Sequence, residues 1–339
     1  MSKKYDTLVL IGRFQPFHTA HLLLTHRATA LADKLIFICG SANQPRTYKN
    51  PFTFAERERM IKYATGGLAL DIQVEPNPDT IYNDQAWAVR VQALVAKHTK
   101  PGDRVGIIGH KKDPSSFYLD MFPQWGFEEV PLLEPLDATD IRNLYFKQDA
   151  NLNFIKSVVP LSTYEYLYAF KESEAYRQII REREFLIENA KQYAGLKYPP
   201  IFVTADAVVI QSGHVLMIKR RAEPGKGLWA LPGGYVNANT DRNVEDAAIR
   251  ELREETLIKV PAPVLRGSIV RSKVFDAIDR SPRGRIITHA FYIQLPDGEL
   301  PKVKGSDDAE KARWVPIAEV RSDECFEDHY EIIQHFLGA

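Results

Sequence analysis

Two short stretches of this 339-residue chain carry residue types whose spacing could do chemistry. The first is Gly12-Arg13-Phe14-Gln15-Pro16-Phe17-His18-Thr19-Ala20-His21. His18 and His21 are three apart, so at a helix start they face the same way. Backbone N–H groups and the helix dipole favour anions there. Imidazoles add donors for a triphosphate, and Arg13 adds a fixed positive charge. Taken alone, the two histidines read as ordinary capping or packing residues, and the surrounding string changes that reading. The second stretch is Arg250-Glu251-Leu252-Arg253-Glu254-Glu255. Glu251, Glu254 and Glu255 stand at i, i+3 and i+4 and project from one helical face. Like charges so placed repel by a few tenths of a kcal/mol per pair, and a hard divalent cation would turn that repulsion into a site. The alternative is a solvated acidic face paired with Arg250 and Arg253.

The elements around the first stretch alternate. Thr7–Ile11 reads as a buried strand, Ala20–Ala32 as a helix and Lys34–Cys39 as a second strand. Thr53–Ala64 reads as a helix, with Thr53 and Glu56 as a capping box. Asp71–Val74, Asp84–Lys97 and Arg104–Ile108 continue the pattern. It predicts an α/β domain with a parallel sheet and ligands at the carboxyl ends of its strands. Pro160 to Tyr193 reads as two helices.

The second half differs. Ile201–Gln211 and His214–Arg221 read as a hairpin turning at Ser212-Gly213. Asn243–Thr256 reads as a helix whose Val244, Ala247, Ala248 and Leu252 face a core. Val264–Val274 and Ile286–Leu295 read as strands, and Phe326–Phe336 as a terminal helix. The expected domains are residues 1–185, a linker at 186–198, and an α+β domain at 199–339.

Composition sets the outer limits. Lys plus Arg and Asp plus Glu both number 44, and 45% of residues are hydrophobic. Net neutrality argues against nucleic-acid binding by bulk charge, and the apolar content argues against disorder. Residues 1–50 nevertheless carry seven Lys or Arg against two Asp or Glu, while residues 301–339 carry five against nine. No apolar run reaches membrane-span or signal-peptide length. The expectation is a cytoplasmic protein with no membrane or nucleic-acid partner, and a homo-oligomer is compatible with it. Of the two cysteines, Cys39 sits in a strand-like run and is expected as a buried thiol.

The first stretch resembles the H-x-G-H signature of the nucleotidyltransferase superfamily, with the lead-in of archaeal-type nicotinamide mononucleotide (NMN) adenylyltransferases. Ala138-Thr139-Asp140-Ile141-Arg142 and Asn50-Pro51-Phe52-Thr53, followed by Glu56 and Arg57, are similar to further segments of that family. Ala20 stands where the family has glycine. The resemblance implies a Rossmann-like domain that makes NAD and pyrophosphate from NMN and ATP, with Mg²⁺ arriving on the triphosphate. It implies catalytic roles for His18, His21 and Arg142, and ATP or phosphate contacts from Gly12, Arg13, Phe14, Thr139 and Ile141. Thr139 is expected to cap its helix while Arg142 reaches phosphate oxygens. For NMN the resemblance points to Asn83 and Trp87. Trp87 either stacks on the nicotinamide ring or packs in a core. Arg46 either meets a substrate phosphate or is a solvated loop charge. Gly109-His110-Lys111-Lys112-Asp113 follows the fourth strand and falls at the binding edge.

Gly227-Leu228-Trp229-Ala230-Leu231-Pro232-Gly233-Gly234, the glutamate helix and Ala312-Arg313-Trp314-Val315-Pro316 together resemble a Nudix hydrolase. Its box reads G-x5-E-x7-R-E-U-x-E-E-x-G-U, with U aliphatic. Gly233-Gly234 reads as the opening of a loop, and this chain departs from the box in two extra residues of that loop, in Arg242 at the register of the first Glu, and in Leu257 for the late Gly, which suggests that the helix runs on. The resemblance implies Glu251, Glu254 and Glu255 as ligands of Mg²⁺ or Mn²⁺, and ADP-ribose as substrate. Gly233, Gly234, Arg220 and Arg266 are candidate ADP-ribose contacts. Arg220, Arg221 and Arg266 fit solvated charges as well. The general base is unranked among Asp307, Asp308 and Glu310. In this order the two motif sets resemble bifunctional NMN adenylyltransferase/Nudix hydrolases. A C-terminal domain that binds or senses ADP-ribose without hydrolysis is the alternative.

Overall fold

The computed structural model describes residues 3–110, 114–131, 137–147, 149–306 and 309–338. The chain divides into two compact units, Met1–Ile180 and Arg181–Ala339.

In the first unit β1 (Thr7–Gly12), β2 (Lys34–Cys39), β3 (Asp71–Pro76), β4 (Val105–Gly109) and β5 (Gly126–Glu129) form a wholly parallel sheet in the order β3-β2-β1-β4-β5. The strands alternate with α1 (Thr19–Leu31), α2 (Phe54–Thr65) and α3 (Asp84–Ala96). β1 and β2 are unbroken apolar runs because both sheet faces are covered. Leu8, Leu10, Leu35 and Phe37 pack with Leu24, Met60 and Ile61. Val9, Ile36 and Ile38 lie in a second cluster with Val91, Leu94 and Val95 of α3. This is the expected Rossmann-like arrangement. Thr53 caps α2, and the Glu56 carboxylate accepts from the Thr53 N–H at 2.7 Å. Four helices follow: α4 (Ala138–Tyr145), α5 (Leu152–Val158), α6 (Leu161–Phe170) and α7 (Glu174–Lys191), the last of which continues past Ile180 into the second unit. Residues 186–191, expected as linker, are the last turns of α7.

The second unit contains β6 (Ile201–Gln211), β7 (His214–Arg220), β8 (Trp229–Ala230), β9 (Gly233–Tyr235), α8 (Val244–Thr256), α9 (Ala262–Gly267), β10 (Ile269–Phe275), β11 (Arg285–Gln294), β12 (Ala309–Pro316) and α10 (His329–Leu337). Its mixed sheet runs β10-β11-β6-β7-β12, with β9 on β6 and β8 on β7. β6 and β11 are parallel and the other pairs antiparallel. Ser212 and Gly213 both take positive φ, as a tight hairpin turn requires. Ala205 and Ala207 are small, and they pack in one core with Ala247, Ala248 and Leu252 of α8.

Three expectations need correction. Val264–Val274 is not one strand: α9 occupies its start and β10 begins at Ile269. Aliphatic Val264 and Leu265 suit either element, and Pro261 opens a helix. Gly233-Gly234 is strand, not loop. Finally, α8 does not run past Thr256. Leu257 ends it in the left-handed region at φ 47°, ψ 31°. A side chain there costs about 1–2 kcal/mol that glycine avoids. Leu257 is exposed and lies outside the core cluster on α8, so packing offsets only part of that cost. Leu257→Gly is expected to stabilise this unit by about 0.5–1 kcal/mol in urea unfolding. A lower midpoint would contradict the strain.

No helix among the described residues is long and apolar enough to cross a membrane. Cys39 is a free, buried thiol, as expected, and so is Cys325.

Candidate functional site

The sheet order reverses at β1, which lies between β2 and β4, and ligands of such sheets bind at the carboxyl ends there. Gly12 ends β1 at that point. Phe14 then takes a positive φ of 53° and folds its ring back over Gly12, where a Cβ would stand 3.0 Å from it. Gln15 pins the turn to a second loop. Its Nε2 donates to the Phe52 carbonyl at 2.8 Å and its Oε1 accepts from the Phe52 N–H at 2.9 Å. Arg57, wholly buried on α2, donates to the carbonyls of Arg13, Gly40, Ser41 and Thr53. One cation thus gathers three segments around the turn.

His18 is the N-cap residue of α1, and its N–H donates to His21 Nδ1 at 3.3 Å. In the neutral ring the hydrogen then sits on His21 Nε2, a donor away from the backbone. The two ring centroids are 3.8 Å apart, and Phe14 and Phe17 pack on His21 at 4.8 and 5.5 Å. Ala20 lies inside α1, where alanine suits a helical backbone, so the missing glycine removes no required conformation.

Asp137, not Thr139, caps α4: its carboxylate accepts from the N–H groups of Thr139 and Asp140. The Thr139 hydroxyl instead accepts from Arg142 Nη2 at 3.2 Å, and Arg142 Nη1 donates to the Gln15 carbonyl at 2.8 Å. The Ile141 side chain is core. Arg142 Nε and Arg13 Nη1 are buried and meet no acceptor among the described residues. Burial, then the charge of Arg13, pushes the Arg142 guanidinium down to about 10. A buried and a half-buried guanidinium that repel each other, each with a buried donor unmet among the described residues, call for an anion.

The expected NMN residues lie at the same sheet edge but are partly engaged. Asn83 caps α3, its Oδ1 accepting from the Ala86 N–H. Trp87 is half-buried against Tyr118 and Phe122, with ring centroids 5.9 and 6.1 Å away. Arg46 is not a free loop charge: two of its nitrogens hold the Glu56 carboxylate at 2.8 and 3.0 Å. Lys111, Lys112 and Asp113 lie outside the described residues.

In the second unit β9 passes flush against α8. The Gly233 N–H donates to Glu255 Oε2 at 2.9 Å, and a Cβ on Gly234 would stand 2.6 Å from Glu251 Oε1. These glycines are required by close approach. Burial pushes the Glu255 carboxyl up to about 8 and raises Glu251 too, so both environments favour a compensating positive charge. Arg250 supplies part of it, donating to Glu251 at 2.8 Å and to Glu254 at 2.9 Å.

Asp241 holds Arg250 in turn, through two bonds of 2.9 and 2.8 Å. Counted along the sequence, the box puts Arg242 where its first Glu is expected. Arg242 instead pairs with Asp246, and the acid comes from one residue earlier. An Asp beside an over-long loop was the available signal. Arg266 is held by Glu245 and Asp246. Arg220 lies 3.9 Å over the Phe326 ring and donates to the Pro224 carbonyl, and Arg221 donates to the Ala309 carbonyl. Glu310 is exposed on β12, and Asp307 and Asp308 lie outside the described residues.

Three carboxylates on one helix are the oxygen donors a hard divalent cation takes, so the donor set fits one. Among the described residues no three acidic, His or Cys side chains are already grouped around a single point. Arg250 and the Gly233 N–H hold the glutamates in the present arrangement.

Residues 9–191 match the cytidylyltransferase-like family and residues 200–336 the NUDIX domain family. A crystal structure of a bifunctional NMN adenylyltransferase/ADP ribose pyrophosphatase from Francisella tularensis superposes with a TM-score of 0.93. The two are 35% identical over 98% of this chain and 99% of that one. The chain belongs to this bifunctional family. Each half also has separate relatives. A nicotinamide/nicotinic acid mononucleotide adenylyltransferase from Acinetobacter baylyi is 39% identical over 52% of this chain and 92% of its own length. An ADP-ribose pyrophosphatase from Methanocaldococcus jannaschii is 32% identical over 48% of this chain and 83% of its own length. The Francisella member of the bifunctional family has also been solved with AMP and a manganese ion.

Proposed function

We propose that the first unit transfers the adenylyl group of ATP to NMN. An NMN phosphate oxygen attacks the α-phosphorus, the bond from that phosphorus to the bridging oxygen breaks, and pyrophosphate leaves. No covalent enzyme intermediate is needed, so catalysis is positioning and charge stabilisation. Arg13 and Arg142, with buried donors that meet no acceptor among the described residues, are the observation that carries this reading. In it they take up the charge of the polyphosphate. His18 and His21 add donors at the α1 N-terminus, and Trp87 and Asn83 face the nicotinamide end.

The second unit hydrolyses the pyrophosphate of ADP-ribose, water adding to one phosphorus to give AMP and ribose 5-phosphate. The three glutamates of α8, flush against Gly233 and Gly234, carry this reading. They would hold Mg²⁺, which supplies activation of water and charge on the diphosphate when bound. Asp241 and Arg250 keep Glu251 and Glu254 oriented.

Product analysis by chromatography tests both halves, with NMN plus ATP and ADP-ribose offered separately in Mg²⁺. The expected products are NAD with pyrophosphate, and AMP with ribose 5-phosphate. Tight ADP-ribose binding without AMP release would sink the second half and favour a sensing domain.

A further inference from the structure

Tyr235 follows Gly233 and Gly234, the residues that touch Glu255 and Glu251. Its carbonyl accepts from Arg250 Nη2 at 3.2 Å, the same guanidinium that holds Glu251 and Glu254. The backbone of Tyr235 is therefore anchored beside the candidate metal-binding carboxylates, yet the residue is 44% exposed. It is also held in place. Phe202 meets it edge-on at 5.7 Å, and the Arg283 guanidinium lies 5.7 Å from its centroid, with Nη1 3.4 Å from the hydroxyl. Arg283 is fixed in turn by Glu327 at 3.1 Å and Ser281 at 3.2 Å, and it lies 5.4 Å from the Phe326 ring. Two neighbours thus orient a large ring whose remaining surface is open.

We propose that Tyr235, backed by Arg283, is the platform on which the purine base of the dinucleotide substrate stacks. This rests on the ADP-ribose reading above. A cation near an aromatic ring draws its electron density toward itself. That leaves the open surface better matched to an electron-rich purine. Of the two ends of ADP-ribose, only the base has a π-face to offer. The terminal ribose would gain little from an aromatic wall. Tyr235 contributes no carboxylate to the metal-binding set, so its side chain acts on binding and not on water activation.

The test is calorimetric binding of ADP-ribose to the full chain with divalent metal chelated, beside steady-state hydrolysis in Mg²⁺. Base–aromatic stacking lost to alanine corresponds to about tenfold or more in affinity. Tyr235→Ala is expected to weaken binding by that factor and to raise KM with kcat held. Tyr235→Phe keeps the ring and is expected within about twofold of the unmodified chain. Thermal unfolding of Tyr235→Ala, beside its retained kcat, reports that the second unit still folds. Equal affinities for the alanine variant and the unmodified chain, or no ADP-ribose binding by either, would overturn the platform. Absence of AMP from the unmodified chain in Mg²⁺ would overturn the hydrolase reading instead, and the calorimetric comparison would still decide on Tyr235.

Discussion

Arg142→Ala is expected to lower kcat for NAD synthesis by about 100- to 1,000-fold, the cost of removing one fixed donor aimed at developing charge. The expectation rests on where the guanidinium sits. It is almost wholly buried and held by the Gln15 carbonyl and the Thr139 hydroxyl, with Nε meeting no acceptor among the described residues. An arginine placed for structure alone would have its donors satisfied within the protein. Arg142→Lys should recover only part of the loss, since an ammonium keeps the charge but not the planar fork. Steady-state rates of NAD formation, beside thermal unfolding to confirm the fold, decide the matter. Activity within tenfold of the unmodified chain would remove Arg142 from the reaction. Hydrolysis of ADP-ribose should be unaffected, because Arg142 and the α8 glutamates belong to different units.

The reciprocal result is expected for Glu254→Gln. Loss of an orienting group behind a metal ligand costs about 10- to 100-fold, so loss of a ligand should cost at least about 100-fold in ADP-ribose hydrolysis. Glu254 is the informative choice because its side chain is the most exposed of the three and its bond within the unit is to Arg250. Replacing it removes a charge from a helix face without opening a hole. Glu255, by contrast, is buried and bound to the Gly233 N–H, so its replacement would mix chemistry with stability. NAD formation by Glu254→Gln should match the unmodified chain. Retained hydrolysis in Mg²⁺ would count against α8 as the metal-binding helix.

Much of the frame was legible because it is local. β2 carries an apolar run bounded by Lys34 and Gly40, and α2 carries its own capping box in Thr53 and Glu56. α8 begins after Asn243, whose side chain accepts from the Asp246 N–H. β5 went unread because Gly126–Glu129 is short and polar, and only pairing with β4 makes it a strand. Thr139 and Asp137 are both good caps by type, and backbone placement chose Asp137. Pairing partners far along the chain also decided the arginines. Arg266 could not be assigned without knowing that α9 lies against the start of α8, where Glu245 and Asp246 hold it. Asp241 was missed because counting along a loop with two extra residues points to its neighbour.

Arg57 has a wider consequence. The string from Gly12 to His21 reads as a self-contained motif, but its shape is borrowed. Four carbonyls from the turn, from the end of β2 and from the approach to α2 converge on one guanidinium. A lysine has three donors and no plane, so it could not span that set. The ten residues grafted onto another parallel sheet would carry the histidines without the conformation that aims them. The unit that could be transplanted is the turn together with α2 and the loop that Gln15 grips.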